Sequence, residues 1–284
     1  MLTLRRAVPA DAAVAGDICY RAFKAIAESH GFPPDLPGAD AAIGLLSSLI
    51  AHPDAFALIA EIDGRIVGSN FLHEGDAIAS IGPITVDPSF QNSAVGRRLM
   101  EAALDRAAQR GAAGVRLVQA GYHSRSLVLY AKLGFEVREP LACLQGPAIH
   151  KTMPGRTVRA ATPDDLAACN DLCNLIHGYA RGNELAHAVA QGNVQLVEHG
   201  GRITGYAAPV AFFGHAVAET NDDLKALIGA AVSFPGPGFL LPSRNGELLR
   251  WCLEEGLRIV QPMTLMAKGA YREPQGAWLP SILY

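Results

Sequence analysis

Apolar and polar residues alternate along this chain in two rhythms. Residues 2–6 read as a short strand, and Pro9 with Asp11 opens a stretch whose apolar side chains recur three and four apart. This predicts a helix to about Glu28 with Val14, Ile18 and Cys19 on one face. After the loop "GFPPDLPG" and a helix near 40–50, "AFALIAEIDGRIVGSNFLHE" changes to a period of two. Asp63-Gly64 at its centre predicts a two-residue hairpin turn. A further strand, "AIASIGPITV", leads through Asp87-Pro88 toward a helix from about Val95 to Arg110. Gly111 and Gly114 then punctuate a strand, "VRLVQA", and a short helix, "SRSLVLYAKL", ends at Gly134 before a strand beginning at Phe135.

The second half repeats this plan. "RAATPDDLAACNDLC" lies over "RRAVPADAAVAGDIC", with Pro163 over Pro9, Asp165 over Asp11 and Cys173 over Cys19. "VEHGGRITGY" lies over "AEIDGRIVGS", and "EEGLRIV" over "KLGFEVR", which sets Gly256 over Gly134. The spacing between matched residues shortens twice, so the second copy lost residues first between its opening helix and its hairpin, then between the hairpin and its last helix. The second loss removes any counterpart of residues 88–94. Two tandem units, 1–150 and 156–284, joined near "KTMPGR", are expected, each a mixed α/β sheet flanked by helices.

Composition narrows the classes. With 284 residues, core size is no constraint. A formal net charge of −3 and scattered Lys and Arg argue against a nucleic-acid partner. Five cysteines, with no CxxC pair, predict a reduced cytoplasmic protein. Asp11 and Asp17 interrupt what would have to be an apolar signal core, and no run of eighteen apolar residues suggests a membrane span.

The stretch "DPSFQNSAVGRRLM", residues 87–100, carries the chemistry. A helix amino terminus presents unpaired backbone N–H groups and the positive end of its dipole, so a tight loop of small residues leading onto it can hold a pyrophosphate. Ser93, Ala94 and Gly96 supply the small side chains and Gln91 a brace, while Arg97 and Arg98 stand where the dipole disfavours cations unless an anion is bound. An ordinary strand-to-helix turn with two solvated arginines is the competing reading of the stretch taken alone.

The order strand, "QNSAVGRRLM", helix, strand, then "HSRSLVLYAKLGF" resembles the GNAT superfamily of acyl-CoA-dependent N-acyltransferases. The family loop reads Gln or Arg, two residues, Gly, any residue, then Gly or Ala. Its later helix reads Asn, two residues, Ala, two residues, Leu-Tyr, shortly before Gly-Phe. Gln91 and Gly96 match the ends of the first motif; Leu129, Tyr130, Gly134 and Phe135 match the second. Ala94 stands where the family has its first glycine, to be tolerated with a negative φ, and His123 and Ser126 replace Asn and Ala.

The resemblance implies a sheet that splays between the strand at 80–86 and that at 114–120, with acetyl-CoA in the opening. Its pyrophosphate would meet the backbone of Gln91, Asn92, Ser93, Ala94, Val95, Gly96 and Arg97; its acyl arm would lie beside Ile84, Thr85 and Val86, with His123 and Ser126 as further cofactor contacts. It also implies Tyr130 as the general acid for the departing thiolate, an amine of a small molecule or peptide as acceptor, and a monomer or homodimer. The alternative is a non-catalytic acyl-CoA-binding or sensing protein.

The general base is open. "SIGPITV" carries no carboxylate, leaving Glu74, Asp76, Glu28, His30 or a water chain as candidates. In the second copy Asn245 matches the family's Asn, but Cys252 falls at the Tyr130 position, so no acyl-CoA binding is expected there. Cys169, Cys173 and His177 are spaced by four but continue a core stripe with Leu166, Leu172 and Ile176, which predicts packing and no metal.

Overall fold

The computed structural model describes residues 1–91 and 93–283. The first half runs β1 (Leu2–Arg6), α1 (Ala12–Ser29), α2 (Ala39–Ala51), β2 (Ala55–Ile62), β3 (Arg65–His73), β4 (Ile78–Ile81), β5 (Thr85–Val86), α3 (Val95–Gln109), β6 (Gly114–Ala120), α4 (Ser124–Lys132) and β7 (Glu136–Gln145). The second runs β8 (Arg156–Ala160), α5 (Leu166–His177), α6 (Gly182–Ala190), β9 (Gln195–His199), β10 (Arg202–Ala208), β11 (His215–Ala218), α7 (Asn221–Ala230), β12 (Phe239–Pro242), α8 (Gly246–Glu254) and β13 (Arg258–Gly269). A further strand, β14 (Ala277–Leu279), follows.

Local chemistry accounts for the shared elements. Asp63 and Gly64 both take positive φ, 50° and 78°, as a hairpin turn matched to right-handed strand twist requires; Gly200 and Gly201 do the same in the second half. Helix α1 buries Ala15, Ile18, Cys19 and Ala22, and Val14 is turned outward rather than inward. The reason lies in α2: a Cβ on Gly16 would stand 2.6 Å from the Ile43 backbone, so the closest approach of the two helices centres on Gly16 and rotates Val14 off the contact. Among the second-half residues, Cys169, Leu172, Cys173 and Ile176 pack into one core cluster with Tyr206 and Trp278.

The sheet crosses the boundary between the halves. Its order is β1-β2-β3-β4-β6-β13-β7-β12, with β5 paired to β3, so β13 from the second half lies between β6 and β7 of the first. Met263 faces Ala120 on one side and Leu141 on the other, both antiparallel. The remaining strands form β14-β11-β10-β9-β8. The fold is therefore mixed α/β, with helices on a sheet that both halves build.

One parallel pairing creates the cavity. β4 and β6 are paired at Ile78 to Gly114, Ala79 to Val115 and Ser80 to Arg116. Beyond this the strands part: β5 bonds to β3 alone, through Val86 opposite Gly68 and Thr85 opposite Ser69. The other edge of residues 84–86 thus faces open space toward β6.

Candidate active site

A cavity of about 360 Å³ occupies that opening. One wall is Ile84, Thr85 and Val86; the opposite wall is Val118 and Gln119 of β6 with Ser126, Leu129 and Tyr130 of α4. At one end lie Gln91, Ala94, Val95, Gly96 and Arg97 at the start of α3. The first helical bond of α3 runs from the Arg98 N–H to the Ala94 carbonyl at 3.0 Å, which leaves the N–H groups of Val95, Gly96 and Arg97 without helical partners. A Cβ on Gly96 would sit 3.7 Å from Leu129 and from Val86, ordinary contact distances, so packing alone does not demand glycine there.

Ala94 departs from the expectation of a negative φ: it caps α3 at φ 62° and ψ 1°, in the left-handed region. For alanine that conformation costs roughly 1–2 kcal/mol, and it falls at a sharp turn where Ala94, Val95, Gly96 and Arg97 all line the cavity. Ser93 is absent from the cavity lining; its hydroxyl donates to the Phe90 carbonyl and ties the loop. The expected contact at Asn92 lies outside the described residues.

Gln91 braces the loop from an unforeseen direction. Its Oε1 accepts a 2.6 Å bond from Nη2 of Arg125 in the first turn of α4, which brings that guanidinium to the same end of the cavity. Arg97 also lines this end, 3.5 Å from Glu101 one turn on. Sequence reasoning passed over Arg125, although an arginine just after the capping residue of a second inward-facing helix was a usable signal.

His123 and Ser126 both line the cavity. Ser126 Oγ lies 2.6 Å from Gln119 Oε1 and 2.8 Å from the His123 carbonyl. The His123 Nε2 is buried and has no partner among the described residues; burial, with Arg125 and His30 nearby, lowers its pKa to about 4, so the ring is neutral at pH 7. Tyr130 is packed edge-on to Phe135, and its hydroxyl makes no hydrogen bond with any described residue. Burial raises the phenol's pKa above its ordinary value, so it remains protonated and its O–H is available to a ligand.

The proposed bases fare differently. Glu74 is held by Arg106 at 2.6 and 2.8 Å, and Glu28 sits 3.9 Å from Lys24. Asp76 accepts from the Asn183 N–H at 3.2 Å, and His30 turns its Nδ1 to the Ile26 carbonyl at 2.9 Å. None of these four lines the cavity. Asp35, in "GFPPDLPG", does. Nothing in its local pattern marked it, because its placement depends on a distant partner: Gln261 of β13 donates to its Oδ1 at 2.6 Å.

The second half contributes more than Gln261. Met263 of β13, Phe212 and Phe213 from the loop between β10 and β11, and Ile282 and Leu283 near the carboxyl terminus also line the cavity. The Ile282 N–H donates to the Phe212 carbonyl at 2.8 Å and pins the tail there.

The chain is similar to known proteins in sequence over part of its length and in fold over nearly all of it. Residues 22–135 match the model of the acetyltransferase (GNAT) family. Over the whole chain the fold is similar to an acetyltransferase candidate from Pyrococcus horikoshii, with a TM-score of 0.74 and 17% identity, covering 97% of this chain and 94% of that one. It is also similar to a GCN5-related N-acetyltransferase from Sphaerobacter thermophilus, with a TM-score of 0.61 and 18% identity, covering 96% of each. Among curated proteins, none matches.

Proposed function

We propose that this chain, which carries a GNAT-family domain at residues 22–135, is an N-acetyltransferase that moves an acetyl group from acetyl-CoA to an amine by direct attack on the thioester. The observation that carries the reading is the cavity between the parted strands, with free helical N–H groups and two arginines at one end and an unbonded tyrosine hydroxyl on its wall. We read the chain as two tandem units, 1–150 and 156–284, of which the first holds the cofactor.

The pyrophosphate would rest on the N–H groups of residues 91–97, with Arg97 and Arg125 supplying charge. The acyl carbonyl would meet the unpaired edge at Val86, where a backbone N–H can stabilise the developing oxyanion. An acceptor arrives largely as R–NH₃⁺, since a model alkylammonium pKa is near ~10.4, and must lose a proton before its lone pair attacks. The C–N bond forms, the C–S bond breaks, and the sulfur takes up a proton, so the net products are the amide, the CoA thiol and one released proton. Tyr130 would donate to the sulfur as negative charge develops there.

The five cysteines are buried thiols, which fits our placement in the cytoplasm, and no described helix is long and apolar enough to cross a membrane. Incubation with acetyl-CoA and an amine panel, following thiol release with mass-spectrometric identification of the product, tests the reading. Acetyl-CoA binding without thiol release for any amine would favour a non-catalytic binder, which the absence of a carboxylate on β4 and β5 also suits.

A further inference from the structure

The cavity is electrically divided. Its cationic side chains, Arg97 and Arg125, stand at the starts of α3 and α4, whereas Asp35 is the one carboxylate among its described lining residues. Around the rest of the cavity the second half contributes apolar side chains, Phe212, Phe213, Ile282 and Leu283. We propose that Asp35 and this apolar wall form the acceptor subsite, and that the acceptor is a small primary amine with an apolar, aromatic-sized body and no carboxylate. The inference rests on the acyl-transfer reading for its chemistry, but the subsite itself does not require turnover.

Three observations support it. Asp35 is held rather than neutralised: Gln261 Nε2 donates to Oδ1 at 2.6 Å, and Gln261 in turn accepts from the Tyr122 hydroxyl at 3.3 Å. No cation among the described residues pairs with Asp35, and its Oδ2 accepts no bond from them, so one oxygen remains for a ligand. Burial raises the carboxyl's pKa, as expected for an uncompensated anion among apolar groups, and an arriving ammonium would relieve that cost.

The same geometry selects against other acceptors. An amino acid would bring its own carboxylate toward Asp35, with the arginines engaged by the cofactor. A polyamine would bury further ammonium groups against phenylalanine and leucine without partners. In the transfer step the Asp35-bound R–NH₃⁺ gives a proton to the Asp35 carboxylate, the free lone pair attacks the acetyl carbon, and Asp35 returns the proton to solvent after product leaves.

The test uses the full chain saturated with CoA, titrated calorimetrically with 2-phenylethylamine and with 2-phenylethanol, which keeps the shape and lacks the charge. The wild type should bind the amine at least tenfold more tightly, and Asp35→Asn, which retains an oxygen acceptor for Gln261, should abolish that preference without changing CoA affinity. Equal binding of the two probes by the wild type, or a preference that survives Asp35→Asn, overturns the proposal. Each probe experiment is paired with thiol release from acetyl-CoA. Amine preference without turnover on any amine would reject acyl transfer and leave the subsite standing; turnover on amino acids or polyamines without that preference would reject the subsite and leave acyl transfer standing.

Discussion

The start of α3 and the start of α7, two strand-to-helix junctions that the sequence match sets in corresponding places, carry opposite charge. α3 has no acidic residue in its first turn, carries Arg97 and Arg98 there, and opens on a left-handed Ala94 with no side-chain cap. α7 opens on Thr220, whose side chain accepts from the Asp223 N–H, and has Asp222 and Asp223 in its first turn. Asp223, buried, also accepts from Thr204 at 3.0 Å and from Arg156 at 2.8 Å. One junction leaves its positive dipole end without an acidic side chain; the other meets it with internal carboxylates.

The next layer repeats the contrast. Arg244 of the second half pairs with Glu139 on β7 of the first, as Tyr122 of the first pairs with Gln261 on β13 of the second, and it makes a charged pair at 2.5 Å where the other site has a neutral bond at 3.3 Å. Beside β11, where an opening would correspond to the cavity, β14 pairs Ala216 with Leu279 and Val217 with Trp278. The corresponding place in the second half thus keeps its space: carboxylates, an ion pair and β14 surround a polar cavity lined by Glu139, Asn221, Arg244 and Trp278.

The comparison breaks most severely if the halves are separated. Ending the chain at residue 155 removes β13 and exposes facing edges on β6 and β7, so we expect loss of cooperative unfolding, read by circular dichroism, and aggregation. A soluble fragment with a sharp transition and intact acetyl-CoA affinity would show that the first half completes its sheet without β13.

Tyr130→Phe removes the phenol without removing a hydrogen bond to any described residue, so stability and acetyl-CoA affinity should hold while kcat falls by roughly 10²–10⁴. The matched change Cys252→Ser in the second half should leave kcat unaltered. Near-normal turnover in the Phe variant would make Tyr130 a packing residue.

Gly96→Glu places bulk and negative charge where the pyrophosphate is expected, and should weaken acetyl-CoA binding by on the order of 100-fold, whereas Asn221→Glu at α7 should not change it. Calorimetry checks both, with a stoichiometry of one CoA per chain; two would mean that the second junction still binds.

Ala94→Gly relieves the left-handed strain and should raise stability by up to about 1 kcal/mol, after the greater entropy of glycine in the unfolded chain is deducted. An unchanged urea midpoint would argue that the loop is not strained at rest. A smaller effect comes from His177, whose pKa is held well below the ordinary 6.5, by burial first and then by the nearby Arg181, His215, Arg116 and Arg272. Because the unfolded chain takes up the proton first, its contribution to stability is full above about pH 6.5 and declines as pH falls below it. Thermal melts from pH 7 to 5 should therefore show a shallower decline for His177→Gln.

Much was legible in the chain because it depends on neighbours in sequence. The elements of the first half, the Asp63-Gly64 turn, the helix start at Val95 and the repeat all follow from apolar period, turn chemistry and capping, which act over a few residues. The linked motifs indicated where an acyl-CoA site would lie, and Gln91, Ala94, Val95, Gly96, His123, Ser126, Leu129 and Tyr130 from them line one cavity. Tertiary structure alone decided the rest: the left-handed turn at Ala94, the insertion of β13 between β6 and β7, and the meeting of Asp35 with Gln261 across 226 positions. Local pattern says which face of a strand or helix is buried, but which distant strand fills an open sheet edge depends on the hydrogen bonds and apolar surface of the assembled whole. Part of the cavity wall is made by that choice.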